Sequence, residues 1–505
     1  MNLRLMLETA AKQYGEKTAV VMDERRLSYA RLDEASNKIA NALLGMGVKK
    51  GDRVAMLLSN SPEFAAIYFG VVKIGGIAVP LDTKYKLTEL TSLFNDSQPK
   101  VLVAESSFLA PIVPALGEFK SLAGVIKLGY EPKGQFLSYQ EIMETGSAKP
   151  VAVALKGEDI AHIAYTSGPS LNPRGVVLSH QALVREAAIS GDGFKQTDKD
   201  IVVLFALPMH HAFGLVVILL TAITKGSTVV MLGGLSVSSL LELIEREKVT
   251  IFMAVPFVHA LIVDAVETEG IHHDLSSIRL WGTAGAAMPP NTWKKIKQLL
   301  GFSAVDFWGM TESAAHVTCQ SPDGAGKAGS VGKALPGWEL RIVDDDGREL
   351  PPDQPGEIVV RGPIMNGYYN NPQATDEVIK NGWLHTSDMG RVDEEGWLFL
   401  LAGRKKDMLI AKGQNIYPGD IEQVLRNHPG VAEVAVVGIP DEVRGESPKA
   451  FIRLKAGGRA TEQELKKFCL ERLANYKVPR EFVFVDSLPK TADGKIDKKS
   501  LRENK

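Results

Sequence analysis

The first residues with the right chemistry for a ligand lie in a loop rich in hydroxyls and glycine. The apolar run Ala161–Tyr165 leads into Thr166-Ser-Gly-Pro-Ser-Leu-Asn-Pro-Arg-Gly175, and a helix is predicted to start near Ser179. In such a strand-to-helix loop, backbone N–H groups and hydroxyls donate to phosphate oxygens, and an arginine neutralises charge. Loops of this composition also simply turn the chain. The candidate phosphate-binding residues are Thr166, Ser167, Gly168, Ser170, Arg174 and Gly175.

Regular elements must position this loop, and most of the chain alternates between two patterns. Helical periodicity predicts Tyr29–Leu44 and Val237–Ile244. Short β-branched runs predict strands at Val54–Leu58, Val101–Ala104, Val202–Leu207, Thr228–Leu232 and Thr250–Val255. The alternation predicts an α/β fold, with doubly wound and mostly parallel sheets covered by helices on both faces.

After about residue 335 the pattern changes. Leu340–Val343 and Glu357–Val360 flank an acidic turn, which favours a small β-rich subdomain with antiparallel strands. A basic joint, Gly403-Arg-Lys-Lys-Asp407, then precedes a compact α+β stretch. We therefore predict a large domain over residues 1–403 and a small C-terminal domain over 404–505.

Composition excludes several classes of protein. Of 505 residues, 45% are hydrophobic and 23% charged, as in a globular chain of more than one domain, and the formal net charge of −2 argues against nucleic-acid or anionic-membrane partners. The N-terminus lacks the apolar core of a signal peptide, and no stretch reaches the ~20 apolar residues of a membrane span. Cys319 and Cys469 have no metal-ligand spacing. We expect a cytoplasmic protein whose oligomeric state stays open, a homodimer included.

Five later segments sharpen the functional prediction. In chain order they are Asp306-Phe-Trp-Gly-Met-Thr-Glu312, Thr386-Ser-Asp388, Gly403-Arg404, Lys412-Gly413 and Asp493-Gly-Lys495. Together with the loop at 166–175, they resemble the acyl-adenylate-forming superfamily of acyl- and aryl-CoA ligases, luciferase and peptide-synthetase adenylation domains. The resemblance covers nearly the whole chain. It implies an AMP-forming ligase that uses ATP, Mg²⁺ and CoA.

The resemblance assigns a role to each matching residue. Trp308 would stack on adenine, Thr311 would bind the α-phosphate, and Glu312 would hold Mg²⁺, a cation that prefers oxygen ligands. Asp388 would accept both ribose hydroxyls, with support from Arg404. Lys495 would lie between the substrate carboxylate and the α-phosphate, where a fixed cation offsets the repulsion of two anions.

The same resemblance implies which residues line the substrate pocket, which residue is the hinge of the small domain and which residues line the CoA channel. His211 would border the carboxylate, while Gly285 and Ala286 would form a small-residue wall. Acetate-specific relatives carry a bulky aromatic residue at the place of Gly309, so glycine favours a larger acid. Lys406 would be the hinge of the small domain, and Lys412-Gly413 would line the pantetheine channel, where glycine leaves room for a thin ligand arm.

The leading hypothesis is therefore formation of an acyl adenylate with release of pyrophosphate, then transfer to CoA. Two alternatives stay open: loading of a phosphopantetheine carrier protein, and a binding protein with impaired ligase activity. The second alternative is favoured by Pro169 and Leu171, because relatives usually have a hydroxyl residue and glycine there. Proline removes an N–H that could meet phosphate, and leucine adopts a positive φ less readily than glycine. The acid and the physiological direction are not determined.

Overall fold

The computed structural model describes residues 1–129, 136–165, 173–234, 236–286, 288–324, 326–404, 408–441, 443–455, 458–490 and 496–503. The chain divides into two compact units. The first contains Met1–Thr83, Ser97–Ala164 and Gly175–Gly403, and the second contains Lys84–Asp96, Tyr165–Arg174 and Arg404–Lys505. The second unit thus takes two segments that the sequence assigned to the large domain. The boundaries 1–403 and 404–505 stay a prediction.

A nine-stranded sheet forms the centre of the first unit. Its strands, in spatial order, are Lys333–Ala334, Thr318–Cys319, Ala304–Trp308, Leu280–Thr283, Ile251–Ala254, Ile201–Phe205, Thr228–Leu232, Thr18–Met22 and Arg25–Ser28. The run from Ala304–Trp308 to Thr18–Met22 is parallel, and the outer strands are antiparallel. Apolar residues line both faces, as expected for a parallel sheet covered on both sides.

A second sheet of the same unit has eight strands. In spatial order they are Gly367–Tyr368, Gly175–Ser179, Ile160–Tyr165, Ile77–Pro80, Arg53–Leu57, Val101–Glu105, Gly124–Leu128 and Leu137–Ser138. The pairings from Ile160–Tyr165 to Leu137–Ser138 are parallel. The predicted strands at 54–58, 101–104, 202–207, 228–232 and 250–255 all lie within one residue or two of observed strands.

Helices connect these strands and bury one or more faces against them. Tyr29–Gly45 begins where the Ser28 hydroxyl accepts the N–H of Arg31, and it buries Leu32, Ile39 and Leu43. The other helices of this unit are Leu3–Tyr14, Pro62–Lys73, Ser106–Leu109, Val113–Glu118, Tyr139–Thr145, His180–Gly193, Phe213–Leu220, Thr221–Lys225, Val237–Glu247, Pro256–Glu269, Pro290–Lys295, Ile296–Leu300, Thr311–Ser313 and Pro372–Val378.

The later part of the first unit is antiparallel, as the acidic turn predicts. Its five-stranded sheet consists of Glu339–Val343, Gly356–Arg361, Trp383–Val392, Ile379–Lys380 and Leu398–Arg404. The pairings that join the first four strands are antiparallel. This is the predicted small β-rich subdomain.

The second unit is an α+β structure around another five-stranded sheet. Its strands are Gln414–Ile416, Leu409–Ala411, Gly445–Leu454, Val431–Asp441 and Glu481–Phe484, and its helices are Leu87–Ser97 for the most part, Pro418–Arg426, Glu462–Leu470, Asn475–Lys477 and Lys498–Glu503. The predicted fold class is confirmed: parallel α/β sheets, a smaller β-rich subdomain and an α+β C-terminal part. Within the described ranges, no helix has both the length and the apolar composition to cross a membrane.

Candidate active site

The segment that follows the strand Ala304–Trp308 forms a tight loop. The Met310 N–H donates to Ser313 Oγ at 3.0 Å, and Thr311–Ser313 makes a single 3₁₀ turn. The loop closes where the Val317 N–H donates to the Trp308 carbonyl at 2.9 Å. Thr311 and Glu312 thus lie on a short turn at the carboxyl end of a parallel strand, the edge where ligands bind in open α/β sheets.

Trp308 and Asp388 lie against one another. The indole Nε1 of Trp308 donates to Asp388 Oδ2 at 3.1 Å, although the two residues are 80 positions apart in the chain. Both side chains are buried, and the backbone N–H of Asp388 donates to Thr386 Oγ1 at 3.1 Å. The structure therefore brings together the aromatic residue predicted for adenine and the carboxylate predicted for ribose.

Glu312 is held by a tyrosine that the sequence reasoning missed. The Tyr368 hydroxyl donates to Glu312 Oε1 at 2.9 Å, and the Met365 N–H donates to the Glu312 carbonyl at 2.8 Å. Tyr368 lies in a short strand that pairs with Gly175–Ser179, directly after the predicted phosphate loop. The signal in the sequence was the pair of tyrosines after Gly367, but only the strand pairing shows that one of them contacts Glu312.

The carboxylate of Glu312 fits the predicted Mg²⁺ ligand. It is partly exposed, and Mg²⁺ is usually bound by one or two carboxylates, with phosphate oxygens and water completing its shell. In the described ranges, no group of three or more His, Cys, Asp or Glu side chains could hold a metal by itself. Phosphate oxygens and water would complete the shell of a metal bound at Glu312.

The residues predicted for the acyl pocket follow two strands of the nine-stranded sheet. His211 lies after Ile201–Phe205, and Gly285 and Ala286 lie after Leu280–Thr283, with one strand between them. Both segments therefore leave the same edge of the sheet. Gly285 has a φ of +84°, which glycine adopts without strain. The rings of His210 and His211 are 4.5 Å apart.

Asn60 supports the His211 loop and was not singled out from the sequence. Its Nδ2 donates to the Leu207 carbonyl at 2.8 Å, and its Oδ1 accepts the Met209 N–H at 2.8 Å. The amide thus bridges two backbone groups in the run Leu207-Pro-Met-His-His211. A lone asparagine 147 residues upstream gives no signal of this role in the sequence.

Gly309 has a structural requirement for glycine besides any role in the pocket. A Cβ at this position would lie 1.8 Å from the Ala315 carbonyl oxygen and 2.9 Å from the His316 nitrogen. Backbone does not yield to such an overlap as a flexible side chain would. A larger residue at 309 would therefore displace the loop rather than simply fill a cavity, and the pocket role of Gly309 stays a prediction.

Asp306, on the same strand as Trp308, is a buried carboxylic acid. Its exposed fraction is 9%, and burial raises its pKa to about 7, while a hydrogen bond from Trp293 acts in the opposite direction. Residues 306 and 308 point to the same face of the strand because side chains alternate. The sequence analysis quoted Asp306 within a motif without assigning it a role.

In the second unit, Lys412 and Gly413 form the two-residue turn between Leu409–Ala411 and Gln414–Ile416. Their φ angles of +53° and +75° are those of a tight hairpin turn.

The remaining predicted residues lie partly within the described ranges. Arg404 ends the strand Leu398–Arg404. Arg174 precedes Gly175, the first residue of Gly175–Ser179. The predicted residues Thr166, Ser167, Gly168, Ser170, Lys406 and Lys495, and the unusual Pro169 and Leu171, lie outside the described residues.

A cavity of about 350 Å³ opens in the second unit near this turn. The residues that line it are Arg444, Lys466, Leu470, Asn475, Val478, Pro479 and Arg480, which include three cations and no carboxylate. The Lys412 N–H donates to the Arg444 carbonyl at 2.9 Å. Burial and then repulsion from Arg444 and Arg480 lower the pKa of Lys412, against an opposing attraction to Asp441. This excess of positive charge suits a polyanionic ligand; we name these seven residues the basic cavity.

Comparison with protein families shows two matches that together span most of the chain. Residues 7–369 match the model described as AMP-binding enzyme. Residues 420–495 match the model described as AMP-binding enzyme C-terminal domain.

Individual relatives match over nearly their full lengths. The chain is 36% identical to the indoleacetate–CoA ligase of Aromatoleum aromaticum, covering 96% of this chain and 95% of the relative. It is 33% identical to a long-chain-fatty-acid–CoA ligase of Bacillus subtilis, covering 99% and 94%. Among solved structures, a double mutant of the Bacillus subtilis o-succinylbenzoate CoA synthetase superposes with a TM-score of 0.88 at 31% identity, covering 99% and 98%.

Proposed function

The chain belongs to the AMP-binding enzyme family, and from this premise we propose that it converts a carboxylic acid larger than acetate into its CoA thioester. The ATP-dependent reaction follows from the family: an acyl adenylate forms first, and its acyl group is then transferred to CoA. The observation that carries the site assignment is the hydrogen bond between Trp308 and Asp388, which joins two predicted AMP-binding side chains across 80 residues.

The first half-reaction is an attack by a carboxylate oxygen of the acid on the α-phosphorus of ATP, with departure of pyrophosphate. Thr311 donates to the α-phosphate, Asp388 accepts the ribose hydroxyls, Arg404 supports the same sugar, and Trp308 stacks on adenine. Lys495 offsets the charge of the two reacting anions. Glu312 would hold Mg²⁺, which supplies positive charge to the phosphate oxygens, and Tyr368 fixes the orientation of that carboxylate.

The second half-reaction is an attack by the CoA thiol on the acyl carbon of the adenylate, with AMP as the leaving group. We propose that the pantetheine arm passes the turn at Lys412-Gly413, with Lys406 as the hinge of the small domain.

The named relatives act on indoleacetate and on long-chain fatty acids, which supports an acid larger than acetate. Two cysteines without metal-ligand spacing favour a cytoplasmic setting, and a homodimer is the assembly to test first.

The basic cavity supports CoA rather than a carrier protein as the acceptor. The nucleotide end of CoA carries a pyrophosphate and a 3′-phosphate, whereas a carrier's pantetheine arm has one phosphodiester and no nucleotide. A volume of about 350 Å³ is at the lower end of small-molecule pockets, and three cations line it without a carboxylate. We propose that Arg444, Lys466 and Arg480 bind these phosphates.

One assay tests the reaction and its acceptor together. The protein is mixed with ATP, Mg²⁺ and a panel of short, medium, long, cyclic and aromatic acids, and pyrophosphate is measured. CoA and a phosphopantetheinylated carrier are then supplied in parallel, and thioesters are read by mass spectrometry. Pyrophosphate with at least one larger acid, and thioester on CoA alone, is the expected result. No pyrophosphate with any acid, despite AMP binding, would favour the impaired binding protein, and thioester on the carrier would overturn the acceptor.

The CoA site has its own test, with adenosine 3′,5′-bisphosphate as the probe. Arg444→Gln with Arg480→Gln should raise the Kd of this probe about tenfold or more, since each lost charge-assisted contact is worth ~1.5–3 kcal/mol. Pyrophosphate release in the first half-reaction should not change. Lys467→Gln is the matched control, because Lys467 is an exposed cation next to the cavity-lining Lys466 on the helix Glu462–Leu470 and is not itself among the cavity-lining residues. Equal probe affinity in the double variant and the control would refute the assignment.

A further inference from the structure

A network of buried hydrogen bonds contacts the loop segment that follows Thr311 and Glu312. Its centre is Glu186, on the helix His180–Gly193, whose side chain is fully buried. One carboxyl oxygen, Oε1, accepts the backbone N–H of His316 at 2.9 Å, and the other, Oε2, accepts the indole N–H of Trp338 at 3.0 Å. The three residues come from separate parts of the chain, so only the tertiary structure joins them.

The loop needs an external support at this point. Ala314 and Ala315 have φ angles of +54° and +128°, which residues with a Cβ rarely adopt and which cost energy. The carbonyl of Ala315 lies against Gly309, where even a single added carbon would overlap it. The peptide between Ala315 and His316 is therefore held at both ends: its oxygen faces Gly309, and its N–H bonds to Glu186.

The imidazole of His316 also contacts the helix that carries Glu186. It is fully buried, its Nδ1 lies 3.1 Å from Ser190 Oγ, and its ring stacks on Phe194 at a centroid distance of 4.6 Å. Ser190 and Phe194 lie one and two turns beyond Glu186, on the same helix and at its end. Helix and loop are thus joined by backbone and side chain together.

We propose that Glu186 is a positioning residue for the first half-reaction: it holds the Ala315–His316 peptide and thereby sets the places of Thr311 and Glu312. The proposal rests on the roles of these two residues in the proposed function. The hydrogen bonds of Glu186 run to His316, Trp338 and Ser190, so its influence on Thr311 and Glu312 is indirect. Burial raises the pKa of Glu186 well above its ordinary value, while the hydrogen bonds from Trp338, His316 and Ser190 act in the opposite direction.

Glu186→Gln tests this role with little change of shape. A carboxyl group offers two oxygens to two N–H donors, whereas an amide offers one oxygen and an NH₂ group that donates. One donor of the pair must therefore lose its acceptor. Trp338→Phe is the matched control, since it removes only the indole N–H. In the double variant the amide oxygen is again available for the His316 N–H, so the double variant should regain function.

We expect Glu186→Gln to lower kcat for pyrophosphate release about tenfold to a hundredfold, with a smaller change in the KM for ATP, because displaced catalytic groups lose transition-state contacts first. Trp338→Phe should stay within about threefold, and the double variant should recover at least part of the loss. Hydrogen–deuterium exchange of the peptide over 309–317 should be faster in Glu186→Gln alone. If that variant does not fold, Glu186→Asp replaces it, because the shorter side chain keeps a carboxylate but cannot reach both N–H donors. A lower kcat with faster exchange over 309–317 in Glu186→Asp supports the proposal, and unchanged kcat and exchange overturn it.

Unchanged kcat and exchange in Glu186→Gln would overturn the proposal. So would equal losses of kcat in Glu186→Gln and Trp338→Phe, because the indole bond does not touch the Ala315–His316 peptide. Absence of pyrophosphate from the unmodified enzyme with every acid is a different failure. It would refute the proposed function, while the exchange measurement would still report whether Glu186 holds the loop.

Discussion

The nucleotide side of the site in the first unit differs in kind from the basic cavity of the second. Trp308, Asp388, Glu312 and Tyr368 are buried or half-buried and hydrogen-bonded to one another in pairs. In the basic cavity, Lys466 is exposed and Arg480 is half exposed, with Arg480 3.9 Å from Asp441. Buried groups are oriented in advance and little screened, whereas exposed charges attract ligands through water and salt. Changes in the first region should therefore affect catalysis, and changes in the second should affect CoA capture.

Lys495→Ala should give the largest effect and would test whether the two regions are truly separate in function. Lys495 belongs to the second unit by sequence, yet it is predicted to act at the reacting phosphate. We expect adenylation to fall by a factor on the order of 10² or more, as for loss of an electrostatic stabiliser. Thioester formation from a chemically prepared adenylate should survive.

Lys490→Ala is the control for that experiment, because Lys490 makes a surface ion pair with Glu433 at 3.0 Å. It should retain nearly full activity in both half-reactions. Equal loss of both half-reactions in Lys495→Ala would indicate a structural lysine instead.

Asp388→Asn removes a charge from the first region while keeping one oxygen for the Trp308 indole. We expect the KM for ATP to rise about tenfold, since a hydrogen bond to a charged group is worth ~1.5–3 kcal/mol. The KM for CoA should not change. Asp376→Asn, at an exposed position of the helix Pro372–Val378, is the control for the charge change. A KM for ATP equal to that of the control would remove Asp388 from the ribose site.

Asp306→Asn tests whether burial of the Asp306 carboxyl group in the first region lowers the stability of the folded protein. The folded pKa of about 7 is above the ordinary 3.8, so the folded state binds the proton more tightly. The native protein should therefore lose stability as pH rises from about 4 to 7 and change little above that. The shift sets an upper bound of about 4 kcal/mol. Chemical denaturation should show the variant to be more stable by about 1 kcal/mol or more at pH 8, and similar at pH 4.

The same stability difference at both pH values would show that the Asp306 carboxyl does not titrate in this range. A variant less stable than the parent at pH 8 would contradict the prediction outright. Activity is not the measurement here, because Asp306 neighbours Trp308 on the strand face.

Tyr368→Phe should give a smaller loss. It removes the hydroxyl that donates to Glu312 and leaves the ring, and a neutral partner of this kind is worth ~0.5–1.5 kcal/mol. We expect pyrophosphate release to slow about threefold to tenfold and the Mg²⁺ requirement to rise. Tyr369→Phe is the adjacent control and should stay within about twofold. A normal Mg²⁺ titration in Tyr368→Phe would indicate that the hydroxyl does not orient the carboxylate.

A higher salt concentration should produce the smallest effect. It should also distinguish the basic cavity most directly from the nucleotide side of the first unit. Raising the salt from about 0.05 to 0.5 M shortens the Debye length severalfold, and exposed charges are screened first. We expect the KM for CoA to rise about threefold, with little change in kcat for the first half-reaction. Arg480→Gln should reduce this salt dependence. A KM for CoA that does not respond to salt would argue that the basic cavity does not bind its phosphates.

Most of the fold was predictable, because it depends on local patterns. β-branched runs such as Thr228–Leu232 were located to the residue, and the helix at 29–44 differs by one residue from Tyr29–Gly45. These elements bury apolar faces, and burial leaves a periodic signal in the chain. The boundary near 403 also has a local signal, a basic joint, but the grouping of Lys84–Asp96 with the C-terminal unit does not. That grouping arises from contacts between distant segments.

The sequence by itself determined which residue types and motifs this protein has, and through them its family and reaction. Only the tertiary structure decided which of those residues meet. Tyr368 reaches Glu312 through a strand pairing, and Gly309 must be glycine because the Ala315 carbonyl returns against it. Glu186, on a helix with an ordinary apolar pattern, becomes the acceptor for a strained loop 130 residues away. A hydrogen bond depends on the distance between two atoms in space, and the positions of two residues along the chain do not fix that distance.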